Sequence, residues 1–252
     1  MSELATVTSQ GRIGTLVINR PEARNALSVE LLRALHERMD ELLGRGDLSV
    51  VVLTGAGKAF CAGMDLKAVV GLPDSRAAFE LLHLLAELCI KIRSLPMVVL
   101  GKVNGAAIGG GCGLACVCDV SITHADSKMG FPEVDLGVCP AVVAPWLVRR
   151  VGAGRARQIL LMGGLMSGQQ AFEAGMVNRV VPGVGDLDAA ADEMAARLAT
   201  GGPEALRATK NLLNAIDGSL DHEQGRRGAE LSAKVLSLPE ARTMLEAKLG
   251  KS

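Results

Sequence analysis

The sequence predicts a fold of the α/β class, in which helices cover a parallel or mixed sheet. In the first half of the chain, runs of β-branched residues alternate with amphipathic helical patterns and are joined by glycine-rich turns. The second half consists mainly of helical patterns with alanine-rich faces. With 252 residues, of which 49% are hydrophobic and 21% charged, the chain can bury a large core.

The first elements are two short strands and a helix. The segments "ELATVTS" (3–9) and "GTLVINR" (14–20) alternate apolar and polar residues around a short turn, which predicts a pair of strands. Ser28 is a suitable N-cap for the amphipathic helix "VELLRALHERMDELL", which we expect to end near Gly44.

Further strand and helix units follow in alternation. The apolar run "LSVVVLTG" (48–55) predicts a buried strand, and a long helix is expected over 75–94. The segments "MVVLGKVNG" (97–105) and "DVSITHA" (119–125) predict two more strands, with a short helix over Leu114–Cys118 between them. This order favours a parallel or mixed sheet covered by helices.

From residue 140 onward the pattern is mostly helical. Ser167 and Gln170 have the spacing of a capping box, in which each side chain binds the backbone N–H of the other residue. We expect an α/β core over residues 1–190 and a C-terminal helical region over 191–252. The helical patterns span 141–152, 153–164, 167–177 and 187–250, with one strand pattern at 177–181.

Charge and hydropathy exclude several classes of partner. Lys and Arg (27) balance Asp and Glu (27), so no basic surplus favours nucleic acid or an anionic membrane. The longest apolar tracts, near 79–90 and 97–118, contain polar residues and fall short of the roughly 20 apolar residues of a membrane span. The N-terminal segment lacks the features of a signal peptide. We therefore expect a soluble, cytoplasmic protein.

The six cysteines do not have the spacing of a small disulfide-linked domain. Cys112, Cys116 and Cys118, with His124, match no zinc-binding pattern. We expect free thiols and no metal site.

Two glycine-rich turns each follow a predicted strand and precede a predicted helix. They are "TGAGKAFCAGMDL" (54–66) and "VNGAAIGGGCGL" (103–114), and neither has the pattern of a phosphate-binding or dinucleotide-binding loop. Such a pair can offer one backbone N–H each to a single oxygen, forming an oxyanion hole whose donors are worth about 2.7–4 kcal/mol apiece. Close packing of a helix on the sheet is the alternative.

These turns are part of a set of motifs that resembles the enoyl-CoA hydratase/isomerase family, also called the crotonase family. The motifs keep the family's order and spacing over about residues 20–182. The resemblance implies a ββα superhelix with a C-terminal helical region, usually assembled as a trimer or a dimer of trimers. The matching segments are "INRPEARNALS" (18–28), "LTGAGKAFCAGMDLK" (53–67), "VNGAAIGGGCGLACVCDVSI" (103–122), "KMGFPEVDLGVCP" (128–140) and "EAGMVNRVVP" (173–182).

The resemblance also implies where an acyl-CoA substrate would bind. The family holds the thioester oxygen with two peptide N–H groups, which here belong to Met64 and Gly110. No separate cofactor is implied, because coenzyme A is part of the substrate. The implied coenzyme A contacts are Arg24, Ala59, Ala62 nearest the adenine, Asp65 and, for a phosphate, Lys210, for which an ordinary exposed lysine is the alternative.

The acidic residues depart from the family pattern. Its typical hydratases carry two glutamates, one directly after "GGGC" and one twenty residues later in a "PE" motif. Here the first position is Gly113 and the second is Glu133. We expect Glu133 to be the general acid or base at C2 of the acyl group, with its pKa raised by burial near Phe131 and Val134. Stabilisation of a helix N-terminus is the alternative role.

Because only one of the two family glutamates is present, two reactions remain possible. Segment 140–152 resembles bacterial members that hydrate branched enoyl-CoAs and also have a small residue after the glycine run, which favours a hydratase. Its water would be activated by Asp135, by Cys139 or by Glu133 alone. The alternative is a Δ3–Δ2 enoyl-CoA isomerase, which needs only one base.

The sequence leaves one other class of protein open and disfavours two more. Gly113 removes a catalytic group, which keeps a non-catalytic acyl-CoA binder open. A serine peptidase is disfavoured because the glycine turns contain no serine. RNA binding is disfavoured by the neutral charge and the aromatic content of 2%.

Overall fold

The computed structural model describes residues 3–71 and 74–250. Within these residues, ten strands form two sheets, and eleven α-helices surround them. The strands are β1 (Ala5–Gln10), β2 (Ile13–Ile18), β3 (Val50–Gly55), β4 (Ala59–Cys61), β5 (Val98–Val103), β6 (Ala106–Ile108), β7 (Val120–His124), β8 (Lys128–Gly130), β9 (Leu165–Ser167) and β10 (Arg179–Val181). The helices are α1 (Val29–Leu43), α2 (Leu66–Val70), α3 (Ser75–Ser94), α4 (Gly110–Val117), α5 (Ala144–Val151), α6 (Ala153–Met162), α7 (Gly168–Glu173), α8 (Leu187–Ala199), α9 (Pro203–Asp217), α10 (His222–Leu236) and α11 (Pro239–Leu249).

The larger sheet has the strand order β1-β2-β3-β5-β7-β10. β1 pairs with β2 in antiparallel orientation, and the other pairs are parallel. β3 is buried along its whole length, because Val51 and Leu53 face the main core while Val50 and Val52 face a second core under α8. These strands confirm the predicted α/β arrangement.

A smaller sheet of three-residue strands has the order β4-β6-β8-β9. β4, β6 and β8 are parallel neighbours, and β9 is antiparallel to β8. β3, β5 and β7 of the larger sheet each precede one of these short strands in the chain. This repeat is the predicted ββα superhelix, whose short strands the sequence analysis did not find.

Most helices lie where the sequence predicts them. The side chain of Ser28 caps α1, and Ser167 with Gln170 forms the predicted capping box of α7. α4 begins at Gly110, four residues before the predicted start at Leu114. Glycine lowers helix propensity, and for this reason the pattern placed the start too late.

The predicted start of the C-terminal region lies within a helix. The expected boundary between residues 190 and 191 falls inside α8, which packs on the larger sheet through Leu187, Ala190 and Ala191. The core therefore extends to the end of α8, and the remaining helices are α9, α10 and α11. In the described part of the chain, no helix is long and apolar enough to cross a membrane.

Candidate active site

The loop after β4 presents an unpaired backbone N–H at Met64. Leu27 pairs with Met64 in an isolated parallel bridge, in which Leu27 N donates to the carbonyl of Gly63 (2.7 Å) and its carbonyl accepts from Asp65 N (3.0 Å). In this parallel bridge the hydrogen bonds are made by Gly63 and Asp65, the two neighbours of Met64. The N–H of Met64 itself therefore points away from Leu27. Among the described residues, no backbone or side-chain acceptor receives the Met64 N–H.

The N-terminus of α4 presents a second unpaired N–H at Gly110. The preceding Gly109 has φ of +52° and donates its N–H to the carbonyl of Gly130 (2.8 Å). The first N–H groups of a helix have no acceptor within it, and that of Gly110 has none elsewhere in the described chain. Gly111 must be glycine, since a Cβ there would lie 2.1 Å from the carbonyl oxygen of Cys61.

The two loops pack directly against each other. A Cβ added to Gly63 would lie 3.7 Å from Gly110 N, and one added to Gly110 would lie 4.0 Å from Sδ of Met64. The side chains of Leu27 and Leu85 would each lie 3.2 Å from the Cβ added to Gly110. The two unpaired amides therefore lie at one junction, which has apolar walls.

Glu133 follows β8 and lies beside this junction. Its Oε1 is 2.8 Å from the position of a Cβ on Gly109, the residue directly before Gly110. Its Oε2 is buried and has no hydrogen-bond partner among the described residues. Burial raises the pKa of Glu133 to about 7. A carboxyl group with this pKa exchanges a proton readily near neutral pH, as a general acid or base must.

The surroundings of Glu133 differ in part from the prediction. Phe131 is fully buried, as expected, but Val134 is exposed. Among the described residues, Glu133 interacts with the thiols of Cys112 and Cys139, whose pKa values are both raised, mainly by burial and in part by this carboxylate. Asp135 binds Gly164 N (2.8 Å) and supports the turn between α6 and β9.

Gly113 stands where the family has its other glutamate, and the space that a side chain would need there is occupied by Val143. A Cβ on Gly113 would lie 2.3 Å from Cγ1 of Val143 and 2.7 Å from its Cβ. No side chain fits there while Val143 stays in place. The role of Val143 was not predictable from the sequence, because its contact with Gly113 joins α4 to a residue thirty positions further along the chain.

Three of the predicted coenzyme A residues lie together. The carbonyl of Arg24 accepts a hydrogen bond from Ala62 N (3.0 Å), and the carbonyl of Ala59 accepts one from Asn25 Nδ2 (2.8 Å). Arg24 is exposed and has φ of +53°. Asn25, which the sequence analysis missed, is fully buried and also binds Ala56 and Arg20. It therefore ties the first motif to the loop before β4.

Asp65 and Lys210 have roles other than those predicted. The carboxylate of Asp65 caps α2 and pairs with Arg20 (2.7 Å), so it holds the loop and is not retained as a coenzyme A contact. Lys210 is only 6% exposed and binds Asp119 (2.7 Å) and the carbonyl of Met97 (2.8 Å). The expectation of an exposed lysine is wrong. The partners of the ammonium group join α9 to the larger sheet and leave the phosphate contact without support in the structure.

The described cysteines are all free thiols, and five of the six are buried. In residues 3–71 and 74–250, no group of three or more His, Cys, Asp or Glu side chains is placed to hold a metal ion.

Comparison with known proteins identifies the family. The sequence model of the family described as enoyl-CoA hydratase/isomerase matches residues 8–242. The 2,3-dehydroadipyl-CoA hydratase of Escherichia coli is 35% identical over 84% of this chain and 82% of its own. An enoyl-CoA hydratase from Bacillus anthracis is 31% identical, with a TM-score of 0.80 over 90% of both chains. One from Mycobacterium avium is 29% identical, with a TM-score of 0.88 over 100% of this chain and 98% of its own. These similarities, over nearly the whole chain, show that the protein belongs to the enoyl-CoA hydratase/isomerase family.

Proposed function

We propose that this protein is an enoyl-CoA hydratase, which adds water across the 2,3 double bond of an acyl-CoA thioester with Glu133 as its only acid and base. The observation that carries the proposal is the order of three loops along one edge of the smaller sheet. β4, β6 and β8 are parallel neighbours, and Met64, Gly110 and Glu133 each follow one of them by two or three residues. Carboxyl ends of parallel strands meet at one edge, so the three groups can act on one thioester.

In the proposed reaction, the N–H groups of Met64 and Gly110 donate hydrogen bonds to the thioester oxygen. The carboxylate of Glu133 takes a proton from water as the water oxygen attacks C3, and the electrons of the double bond move to the thioester oxygen. The same carboxyl then gives the proton to C2. One C–O and one C–H bond form, and Glu133 returns to its starting state. The pKa of about 7 suits both steps.

The nucleotide part of coenzyme A is proposed to lie along Arg24, Ala59 and Ala62. Arg24 is exposed and Ala62 is partly exposed, while Ala59 is buried. Only Ala62 belongs to the loop that leads to Met64, and Arg24 is joined to it by the hydrogen bond from Ala62 N. Binding energy from this remote part of the substrate would hold the thioester against the two amides.

One observation favours a second reaction. Val143 occupies the space of a second acid at Gly113, and a Δ3–Δ2 isomerase needs only one base. The names of the relatives favour hydration, because the Escherichia coli and Bacillus anthracis proteins are both named hydratases. We therefore place hydration first and isomerisation second.

We also propose that copies of the chain assemble through the C-terminal helices, as a trimer or a dimer of trimers, in the cytoplasm. Three large apolar side chains of α9, Leu212, Leu213 and Ile216, are more than half exposed. Exposed apolar side chains grouped on one helix are typical of interaction surfaces. Light scattering coupled to size exclusion would measure the mass, and a monomer at micromolar concentration would contradict the assembly.

The reaction is tested with crotonyl-CoA and a 3-enoyl-CoA in ¹⁸O-labelled water, with Glu133→Gln as the control. Hydration predicts a labelled 3-hydroxyacyl product that the variant does not form. Conversion of the 3-enoyl to the 2-enoyl thioester without label would make the protein an isomerase. No turnover of either substrate would leave a non-catalytic acyl-CoA binder.

A further inference from the structure

The segment between Glu133 and Val143 carries both residues that set the acid chemistry of the site. It is built from two turns, each closed by its own hydrogen bonds. In the first, Val138 N donates to the carbonyl of Glu133 (2.9 Å). In the second, Ala144 N donates to the carbonyl of Pro140 (2.8 Å). These bonds hold each turn but do not fix one turn relative to the other.

A side chain from α10 joins the two turns. Ser232 is 1% exposed, and its hydroxyl donates to the carbonyl of Cys139 (2.7 Å) and accepts from Ala141 N (3.2 Å). Cys139 and Ala141 lie on either side of Pro140, where the second turn begins. One hydroxyl thus binds the last residue between the turns and a residue inside the second turn.

α10 packs directly against this segment. One helical turn before Ser232 is Gly228, where an added Cβ would lie 2.7 Å from the carbonyl oxygen of Ala141. Another side of α10 packs on α3. A Cβ added to Gly225 of α10 would lie 3.2 Å from the side chain of Ile90 and 3.5 Å from that of Ala86. α10 is therefore fixed to the core, and Gly228 lets the Ser232 hydroxyl reach the loop.

We propose that Ser232 is a positioning residue for the active site, which holds the carboxyl of Glu133 beside Gly109 and Val143 over Gly113 by locking the two turns together. This proposal rests on the function proposed above. Ser232 acts through the loop and does not touch the reacting atoms. A C-terminal helix thereby becomes part of the catalytic arrangement.

Burial is the largest cause of the raised pKa of Glu133. Among the described residues, the thiols of Cys112 on α4 and Cys139 in the loop interact with its charge, while the nearby carboxylate of Asp135 binds Gly164 N. α11 contacts the loop at Gly137 through Met244 and Ala241, neither of which titrates. A change in the pKa of Glu133 on substitution of Ser232 therefore reports its burial.

The test compares Ser232→Ala with a matched control, Ser219→Ala. Ser219 is also buried, at 2% exposed, and its hydroxyl donates to Asn214 Oδ1 (3.1 Å) between α9 and α10. Three measurements are made on each variant. The first is kcat and KM for crotonyl-CoA. The second is the pKa of Glu133 from an NMR titration of ¹³C-labelled glutamate, with the signal assigned by its loss in Glu133→Gln, and the third is the rate at which a thiol reagent labels Cys139. Cys139 is the one described cysteine that is not fully buried.

Ser232→Ala should lower kcat by roughly 10- to 100-fold with KM changed less than about threefold, because small misplacements of catalytic groups are costly. It should also move the pKa of Glu133 from about 7 toward 4.5 and speed labelling of Cys139, while Ser219→Ala leaves all three unchanged. Unchanged values in Ser232→Ala, or equal changes in Ser219→Ala, would overturn the proposal. If Ser232→Ala does not fold, Ser232→Cys keeps the side-chain size and weakens both bonds.

The two proposals fail in different ways. Lack of turnover by the unmodified protein would contradict the proposed function alone. The titration of Glu133 and the labelling of Cys139 need no substrate, so they would still test the role of Ser232.

Discussion

Val143 lies against the open face of Gly113, with its Cγ1 2.3 Å and its Cβ 2.7 Å from the position that a Cβ on Gly113 would take. The Cα of Val143 is at 3.7 Å, an ordinary contact distance. Removing only the two methyl groups would therefore leave a clash, whereas removing the whole side chain would not.

This geometry predicts a specific double-mutant cycle. Gly113→Ala should be destabilising, since overpacking a core costs about 1–3 kcal/mol, and Val143→Gly should relieve that cost while Val143→Ala should not. Urea unfolding of the single and double variants measures the coupling. Gly154→Ala is the control, because nothing lies within 4 Å of a Cβ there. Equal coupling with Val143→Ala and Val143→Gly would contradict the proposed contact.

Replacing Glu133 should remove catalysis without unfolding the protein. General acid–base groups contribute about 10²- to 10⁴-fold, so Glu133→Gln should lower kcat by at least about 100-fold. Asp135→Asn is the matched control, since this carboxylate binds Gly164 on the turn after α6 and should leave kcat within a few-fold. Equal losses in the two variants would show that Glu133 has no special role.

Glu133 should also make stability depend on pH. Its pKa is raised by burial from 4.5 to about 7, so its contribution to stability is fully present below pH 4.5 and is lost as the pH rises through 7. At about 1.4 kcal/mol per pKa unit, this loss is roughly 3 kcal/mol. The free energy of unfolding of Glu133→Gln, measured against the unmodified protein, should therefore rise by about that amount between pH 4.5 and pH 8. A constant difference would contradict the raised pKa.

We expect Lys210 to stabilise the fold and not to bind the substrate. Leaving a buried charge unpaired costs about 3–5 kcal/mol. Asp119 keeps a second partner, Arg93 (3.2 Å), when Lys210 is removed, so Lys210→Ala should lower the free energy of unfolding by less than that amount. The KM for an acyl-CoA should not change, because the ammonium group binds Asp119 and Met97. Lys234→Ala, an exposed position on α10, serves as the control for stability. An increase in KM with unchanged stability would restore the coenzyme A role.

The fold was predictable where one element carries its own periodic pattern. β1, β2, α1 and α3 have such patterns, and α3 lies over the predicted residues 75–94. The smaller sheet was not predictable, because three-residue strands such as Ala106–Ile108 are too short to show alternation. Yet this sheet aligns the loops of the site, which only the family motifs indicated.

Within the site, the residues that depend on long-range packing escaped prediction. Ser232 contacts the loop from about ninety residues away, and Val143, directly before α5, packs on Gly113 of α4. The burial of Lys210 is of the same kind, since its partner Asp119 lies on a different element. The sequence around each residue does not indicate which distant residue it contacts.

The most direct test of the central claim removes one backbone N–H from the junction. Gly110 is the first residue of α4, where proline is tolerated, so Gly110→Pro deletes the donor and Gly110→Ala keeps it with a similar added bulk. Loss of an oxyanion donor costs about 10²- to 10³-fold in rate, and we expect kcat/KM on crotonyl-CoA to be lower by that factor in Gly110→Pro than in Gly110→Ala. Equal kcat/KM values in two folded variants would show that the amide of Gly110 does not hold the thioester oxygen.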